Sequence, residues 1–243
     1  MPVPSEKLPT DGTPISVDVY KPPVGASSPG VLILHGTDGL LPSFGPDIVS
    51  FAEALTKIGI AAVIPHYFEY TGTKAGDEAM NSMLLKLPAW ERVCGIVLSF
   101  MAADGRFDRM RLGLIGFSLG GHLALKLSMQ ERSGMSLKGV VDFFGPTLPP
   151  LVPPMTGDWS KLPPILIHHG KKDKLSIENS EHVVEELKKV GRKVKPLEYG
   201  KRATGPMADD RFITYPGEEH GFKGKALAAS RKSTTEFLKR KLS

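Results

Sequence analysis

Short apolar runs alternate with longer helix-like segments along most of the chain. Several runs are continuously apolar, such as Val31-Leu32-Ile33-Leu34, as expected for strands buried on both faces of a sheet. This alternation predicts an α/β fold with a mostly parallel central sheet flanked by helices. The predicted strands are Ile15–Tyr20, Gly30–His35, Ala61–Pro65, Arg111–Gly116, Gly139–Phe144, Pro164–His169 and Phe212–Tyr215.

The helical patterns follow most of these strands. They cover Asp47–Ile58, Asp77–Leu87, Ala89–Ala103, Leu119–Gln130, Ile177–Val190 and Lys225–Leu242. Pro88 separates the second helix from the third, because proline lacks the amide hydrogen that a continuous helix needs. Ser176 is the predicted N-cap of the fifth helix, and Gly191 is its predicted C′ residue.

No internal repeat or long polar linker divides the chain, so a single domain over residues 1–243 is expected. The proline-rich connection Gly145–Pro163 is too short for a separate lid domain. A polar, glycine-containing insertion, Gly200–Arg211, lies between two β-like segments, Val194–Tyr199 and Phe212–Tyr215. We expect it to form either a loop or a hairpin.

Composition is that of a globular chain, with 41% hydrophobic and 23% charged residues. The N-terminus lacks a signal-peptide pattern and Cys94 is the only cysteine, which together favour the cytoplasm. The net charge of +5 is spread widely and no recognition motif accompanies it, so we expect neither nucleic acid nor membrane as partner. The positive charge leaves a mild preference for anionic substrates as an expectation. We also expect a monomer or a homodimer.

One segment carries a candidate nucleophile. Gly116-Phe117-Ser118-Leu119-Gly120-Gly121 joins a predicted strand to a predicted helix. In this context a G-x-S-x-G pentapeptide indicates a tight turn that exposes the serine hydroxyl above the sheet edge. The following helix directs its backbone N–H groups and positive dipole end at the serine. The alternative is that Ser118 is an ordinary turn serine.

A serine nucleophile needs an imidazole base that a carboxylate orients. Asp173 follows the strand Pro164–His169, and His220 follows the strand Phe212–Tyr215. Because the carboxyl ends of parallel strands share one edge, both are expected to approach Ser118 there. Asp173 would then hold one imidazole nitrogen and leave the other to accept the serine proton.

These assignments leave alternatives. Asp173 is otherwise a loop carboxylate paired with Lys171 or Lys172, and Asp142 competes with it for the triad. His220 is otherwise a surface histidine.

The remaining histidines favour structural roles. His35, His168 and His169 lie at strand ends, and His122 lies one turn into a helix. Adjacent strand residues point to opposite faces, which argues against a metal shared by His168 and His169. We therefore expect no metal and no cofactor.

An oxyanion hole requires two backbone N–H groups near the nucleophile. Leu119, the residue after Ser118, is expected to supply one. The other is expected from Thr37, in the loop His35-Gly36-Thr37-Asp38-Gly39, with Gly36 allowing a close turn.

Taken together, these segments resemble the dienelactone hydrolase family of α/β-hydrolases over most of the chain. The motifs that carry the resemblance are Val31-Leu32-Ile33-Leu34-His35-Gly36, the Ser118 hexapeptide, Val141-Asp142-Phe143-Phe144-Gly145, Ile167-His168-His169-Gly170-Lys171-Lys172-Asp173 and Tyr215-Pro216-Gly217-Glu218-Glu219-His220-Gly221-Phe222. The resemblance implies an α/β-hydrolase fold without a large cap domain, and the triad Ser118, Asp173 and His220.

Two positions depart from the family's namesakes, which carry a cysteine nucleophile and a glutamate near the oxyanion loop. Here the nucleophile is Ser118, and Gly36 stands at the position matching the glutamate. A serine does not rest as an ion pair with histidine, so Ser118 depends on His220 at each step. This difference argues against dienelactone itself as substrate.

The sequence therefore predicts a serine hydrolase that cleaves small carboxylic esters or lactones through an acyl-enzyme. The alternatives are a thioesterase, a prolyl-oligopeptidase-like peptidase, and a non-catalytic α/β-hydrolase that binds a ligand. Aromatic residues are the predicted pocket walls: Phe44, Phe68, Tyr70, Trp90, Phe144 and Trp159.

Overall fold

One twisted sheet organises the protein, whose computed structural model describes residues 5–23, 27–130 and 132–243. Its strands are β1 (Ser5–Leu8), β2 (Ile15–Tyr20), β3 (Ser28–Leu34), β4 (Ala61–Pro65), β5 (Phe107–Phe117), β6 (Leu137–Phe143), β7 (Ile165–Gly170), β8 (Val194–Glu198) and β9 (Asp210–Tyr215). Their spatial order is β1-β2-β4-β3-β5-β6-β7-β9-β8. The pairs β1–β2 and β2–β4 are antiparallel and the other pairs are parallel. The predicted α/β fold is confirmed, and the described ranges contain no large cap domain.

Helices cover both faces of the sheet. They are α1 (Gly45–Thr56), α2 (Asp77–Ala103), α3 (Leu119–Ser128), α4 (Glu178–Lys189) and α5 (Gly224–Lys241). Side chains of α2, α3 and α4 form one core with the sheet, and those of α1 and α5 form the other. Each apolar run contributes side chains to both cores, because successive residues such as Leu32 and Ile33 face opposite sides of the sheet.

The prediction that Pro88 splits a helix is wrong, since α2 runs without interruption from Asp77 to Ala103. Proline removes the hydrogen bond to the carbonyl four residues earlier, which belongs to Leu84. Pro88 and Leu84 are both exposed, so water can reach the carbonyl that is left without an intrahelical donor. The proline therefore lies on the helix face where its cost is smallest.

The predicted C-terminal end of α4 is confirmed, whereas its N-cap is Ile177, one residue after the predicted Ser176. The Ser176 hydroxyl accepts a hydrogen bond from the Glu178 N–H at 3.3 Å. At the other end Gly191 has a φ of 80°. Its N–H donates to the Lys188 carbonyl, and the Arg192 N–H donates to the Leu187 carbonyl, which is the Schellman arrangement.

The insertion near residue 200 forms a loop. Because β8 and β9 are parallel neighbours, the hairpin alternative is wrong. The ammonium group of Lys195 holds this loop by donating to the carbonyls of Thr204, Gly205 and Pro206. Strand β9 begins at Asp210, so the last residues assigned to the insertion belong to the sheet. None of the helices in the described ranges is both long and apolar enough to cross a membrane.

Candidate active site

Ser118 lies on a strained turn between β5 and α3. Its φ of 54° and ψ of −119° place it in a region that side chains with a Cβ atom rarely adopt. The two glycines of the pentapeptide make this turn possible by close backbone contact. A Cβ on Gly116 would lie 2.1 Å from the Gly120 carbonyl oxygen, and a Cβ on Gly120 would lie 2.2 Å from the Leu34 carbonyl oxygen.

We expect Gly120→Ala to destabilise the fold severely, by about 3 kcal/mol or more, because its methyl group would overlap backbone rather than a movable side chain. Denaturant unfolding of the purified variant measures this loss. Gly105→Ala is the matched control, since no atom lies within 4 Å of the added Cβ there. Equal stability of the two variants would contradict the close approach of Gly120 to β3.

Asp173 and His220 form a hydrogen-bonded pair at the carboxyl ends of β7 and β9. Asp173 Oδ2 lies 2.8 Å from His220 Nδ1, and Asp173 Oδ1 accepts the Leu175 N–H at 2.7 Å. The Asp173 side chain is fully buried, whereas the His220 side chain is 36% exposed. Lys171 forms an ion pair with Glu198 instead of Asp173. The arrangement leaves His220 Nε2 free to act in the pocket.

His169 holds the turn that carries Asp173, a role that the sequence did not indicate. Its Nε2 lies 2.9 Å from the Leu175 carbonyl oxygen and 3.7 Å from Asp173 Oδ2, and its Nδ1 lies 2.7 Å from Ser180 Oγ. Burial lowers the pKa of His169, so the neutral ring donates to Leu175 and accepts from Ser180. These contacts fix the turn that presents Asp173.

Asp142, the competing carboxylate, occupies a different place beneath the start of α3. It is fully buried, and its Oδ1 accepts the Gly145 N–H at 3.0 Å. Its Oδ2 has no hydrogen-bond partner among the described residues. Burial raises the pKa of Asp142 to about 7, although the Gly145 hydrogen bond acts in the opposite direction. The structure therefore pairs His220 with Asp173 and not with Asp142.

This raised pKa predicts a pH-dependent effect of Asp142→Asn on stability. The folded state binds the Asp142 proton more tightly than the unfolded state, so the wild type loses stability from this group as pH rises from about 4 to about 7. Asparagine does not ionise, and the variant should gain stability relative to the wild type over that interval, by up to about 4 kcal/mol. Denaturant unfolding at a series of pH values measures the difference. A variant that instead loses relative stability as pH rises would contradict the assignment.

The residues proposed for the oxyanion hole flank Ser118. Leu119 is the first residue of α3, and Thr37 lies in the loop after β3. Gly36 approaches closely, because a Cβ there would lie 3.1 Å from Ser118 Cβ. A side chain at the position of the namesakes' glutamate would crowd this nucleophile.

Ser118 and His220 line one pocket of about 220 Å³ that opens at this edge of the sheet. Within the described ranges no hydrogen bond joins Ser118 Oγ to His220, as is common in resting sites before a ligand closes them. Most of the wall is apolar: Phe44, Ile48, Phe117, Phe143, Phe144 and Phe222. The Phe144 ring packs against His220 at a centroid distance of 4.5 Å, and Phe144 has a φ of 45°.

Only two of the six aromatic residues predicted for the pocket, Phe44 and Phe144, line it. Phe68 and Trp90 are buried in the opposite core, and Trp159 packs against His182. Phe117 and Phe222 also line the pocket, and their closeness in sequence to Ser118 and His220 was a signal that could have identified them. Ile48 of α1 and Phe143 of β6 reach the pocket only through the fold, and no comparable signal in the sequence marks them.

The other histidines have structural partners. His35 stacks on Tyr67 at 4.1 Å, and His122 Nδ1 donates to the Pro146 carbonyl at 2.8 Å. His168 contacts Tyr215 and lies on the sheet face opposite to His169. The described residues contain no cluster of three side chains suited to a metal ion.

Comparison with known proteins agrees with the observed fold. The model of the dienelactone hydrolase family matches residues 17–241. A putative dienelactone hydrolase from Klebsiella pneumoniae has a similar structure, with a TM-score of 0.74, 17% identity and 97% of each chain covered. A dienelactone hydrolase from Anabaena variabilis gives a TM-score of 0.69 at 18% identity, covering 99% of this chain and 98% of its own.

A third similar structure is a dienelactone hydrolase-like promiscuous phosphotriesterase from metagenomic libraries. It gives a TM-score of 0.74 at 18% identity, covering 99% of this chain and 98% of its own. At such identities these structures show a shared fold, and the comparison with curated proteins gave no match. The family match spans most of the sequence and includes every residue of the candidate site. The chain therefore belongs to the dienelactone hydrolase family.

Proposed function

We propose that this protein is a serine hydrolase that cleaves carboxylic esters or lactones through an acyl-enzyme intermediate. The observation that carries the proposal is the Asp173–His220 hydrogen bond of 2.8 Å, in a pocket that also contains Ser118 on its strained turn. A nucleophile, a base and a group that orients the base are the parts this chemistry requires.

The tautomer of His220 determines which nitrogen acts as the base. Asp173 Oδ2 accepts a hydrogen bond from Nδ1–H, so in the neutral ring Nε2 is the nitrogen that can accept the Ser118 proton during attack on the carbonyl carbon. The buried carboxylate then stabilises the imidazolium that forms. His220 returns the proton to the departing alkoxide, which leaves as the alcohol.

Negative charge develops on the substrate carbonyl oxygen during attack. The backbone N–H groups of Leu119 and Thr37 are the proposed donors to this oxygen, and the N-terminus of α3 adds its positive dipole end. Water, activated by His220, next attacks the acyl-enzyme and releases the acid. A lactone follows the same path, except that its alcohol remains attached to the acyl group.

A fluorophosphonate probe combined with short p-nitrophenyl esters tests the proposal. The folded protein should become labelled on Ser118 and should lose its ester hydrolysis in proportion to labelling. Folded protein that resists the probe and leaves these esters intact would overturn the proposal and favour a non-catalytic ligand-binding protein. Faster hydrolysis of matched thioesters or peptides would instead favour the thioesterase or peptidase alternative.

A further inference from the structure

The pocket around Ser118 carries three carboxylates on its wall, from Asp38, Asp47 and Asp77. None of its lining residues, all of which lie in the described ranges, is lysine or arginine. The charge of the pocket is therefore opposite in sign to the net charge of +5 of the whole chain. A bound ester experiences mainly the nearest charges, because water and salt screen distant ones.

The three carboxylates lie on two sides of the nucleophile. Asp38 follows Thr37 in the oxyanion loop, and Asp77 follows Gly76, whose N–H donates to the Thr37 carbonyl at 2.8 Å. Asp47 lies on the other side, in the first turn of α1. This end of α1 approaches the loop of His220, since the Phe44 ring lies 2.8 Å from a Cβ built on Gly221.

No ion pair neutralises these carboxylates among the described residues. A guanidinium group, that of Arg231, does contact α1, but it donates to Ser50 Oγ and does not line the pocket. The dipoles of α1 and α2 favour Asp47 and Asp77 in their first turns. Asp38 lies in a turn outside any helix and has no such structural explanation.

Two further features of the wall are suited to a ligand. The Thr37 side chain lines the pocket in a residue that is only 8% exposed, and its hydroxyl has no hydrogen-bond partner in the described part of the chain. The rings of Phe44, Phe144 and Phe222 surround the same space. Aromatic faces attract ammonium groups, and nearby carboxylates strengthen that attraction.

We propose that this pocket selects esters that carry a cationic group, such as an ammonium, over uncharged esters of the same shape, and rejects esters that carry a carboxylate. The inference rests on the proposed serine hydrolase function. It reverses the mild preference for anionic substrates that the net charge alone suggested.

Three p-nitrophenyl esters that differ only in the end of the acyl chain test this selection. The chain ends in a trimethylammonium group, a tert-butyl group or a carboxylate. At low ionic strength kcat/KM should be roughly tenfold higher for the cationic ester than for the uncharged one, and lower again for the anionic one. Added salt should compress these ratios without any change to the protein. A choline ester and its 3,3-dimethylbutyl counterpart apply the same comparison to the alcohol side.

Single variants assign the selectivity to the pocket. Asp38→Asn, Asp47→Asn and Asp77→Asn should each reduce the cationic-to-anionic ratio of kcat/KM by roughly threefold or more. Glu78→Gln and Glu53→Gln are matched controls, because they remove the same charge from the same two helices outside the pocket. Both controls should keep the wild-type ratio.

The outcomes separate this inference from the proposed function. Failure to hydrolyse any ester in either series would overturn the proposed function. Hydrolysis of the uncharged ester, with the anionic ester equal to or better than the cationic one, would overturn the charge selection alone. The charge selection would also be overturned if the control variants changed the cationic-to-anionic ratio of kcat/KM as much as the pocket variants do. The effect would then come from the overall charge of the protein.

Discussion

Replacing Ser118 with alanine is expected to lower kcat for p-nitrophenyl esters by about a thousandfold or more. Alanine has no hydroxyl to form the acyl-enzyme, while the oxyanion donors and the pocket remain. Steady-state hydrolysis of a short ester measures the loss, and circular dichroism confirms that the variant is folded. Fluorophosphonate labelling should disappear together with activity.

Ser82→Ala provides the control for this experiment. Ser82 is a serine of α2 whose hydroxyl donates to the Glu78 carbonyl, and its loss should leave kcat and labelling at wild-type levels. A Ser118→Ala protein that keeps more than a tenth of the wild-type kcat would show that another group, or water alone, attacks the ester.

Asp173→Asn should produce the second large effect, a fall in kcat of up to about 10⁴-fold, as in other triads where the carboxylate becomes an amide. The amide group can donate to Nδ1 and so favours the tautomer with its proton on Nε2. In that tautomer His220 cannot accept the Ser118 proton. The kcat measured across a pH series gives the size of the loss.

Asp142→Asn is the matched comparison, because it makes the same substitution at a second fully buried carboxylate. We expect it to keep most of the wild-type kcat at a pH where both proteins are folded, since Asp142 bonds to the Gly145 N–H and not to His220. Loss of activity in Asp142→Asn with retention in Asp173→Asn would exchange the two assignments.

Much of the fold could be predicted from the chain because its strands are buried on both faces. Runs such as Val31-Leu32-Ile33-Leu34 have no polar residue to suggest another element, and glycines or prolines follow them. The short strand β1 escaped prediction because three of its four residues are exposed and its pairing with β2 depends on tertiary contacts. Pro88 led to a wrong prediction because an exposed helix face tolerates a proline that a buried face would not.

The candidate site, too, could be predicted from the sequence only in part. The order of Ser118, Asp173 and His220 along the chain, each just past a strand, was sufficient to nominate them. The choice between Asp173 and Asp142 required coordinates, because Asp142 lies near the end of β6, Asp173 lies just after the neighbouring parallel strand β7, and only the folded geometry shows which one contacts His220. The three carboxylates of the pocket wall could not be predicted from the sequence either, because Asp38, Asp47 and Asp77 come from separate segments that meet only in the folded chain.

Quenched-flow mass spectrometry during hydrolysis of p-nitrophenyl acetate tests the central claim most directly. Early in the reaction, the peptide that contains Ser118 should carry the mass of one acetyl group, and the modified fraction should rise with the burst of p-nitrophenolate. His220→Ala should show neither the burst nor the modified peptide. Turnover by the wild-type protein with no acetyl group on Ser118 at any time, or with the acetyl group on another residue, would contradict the account.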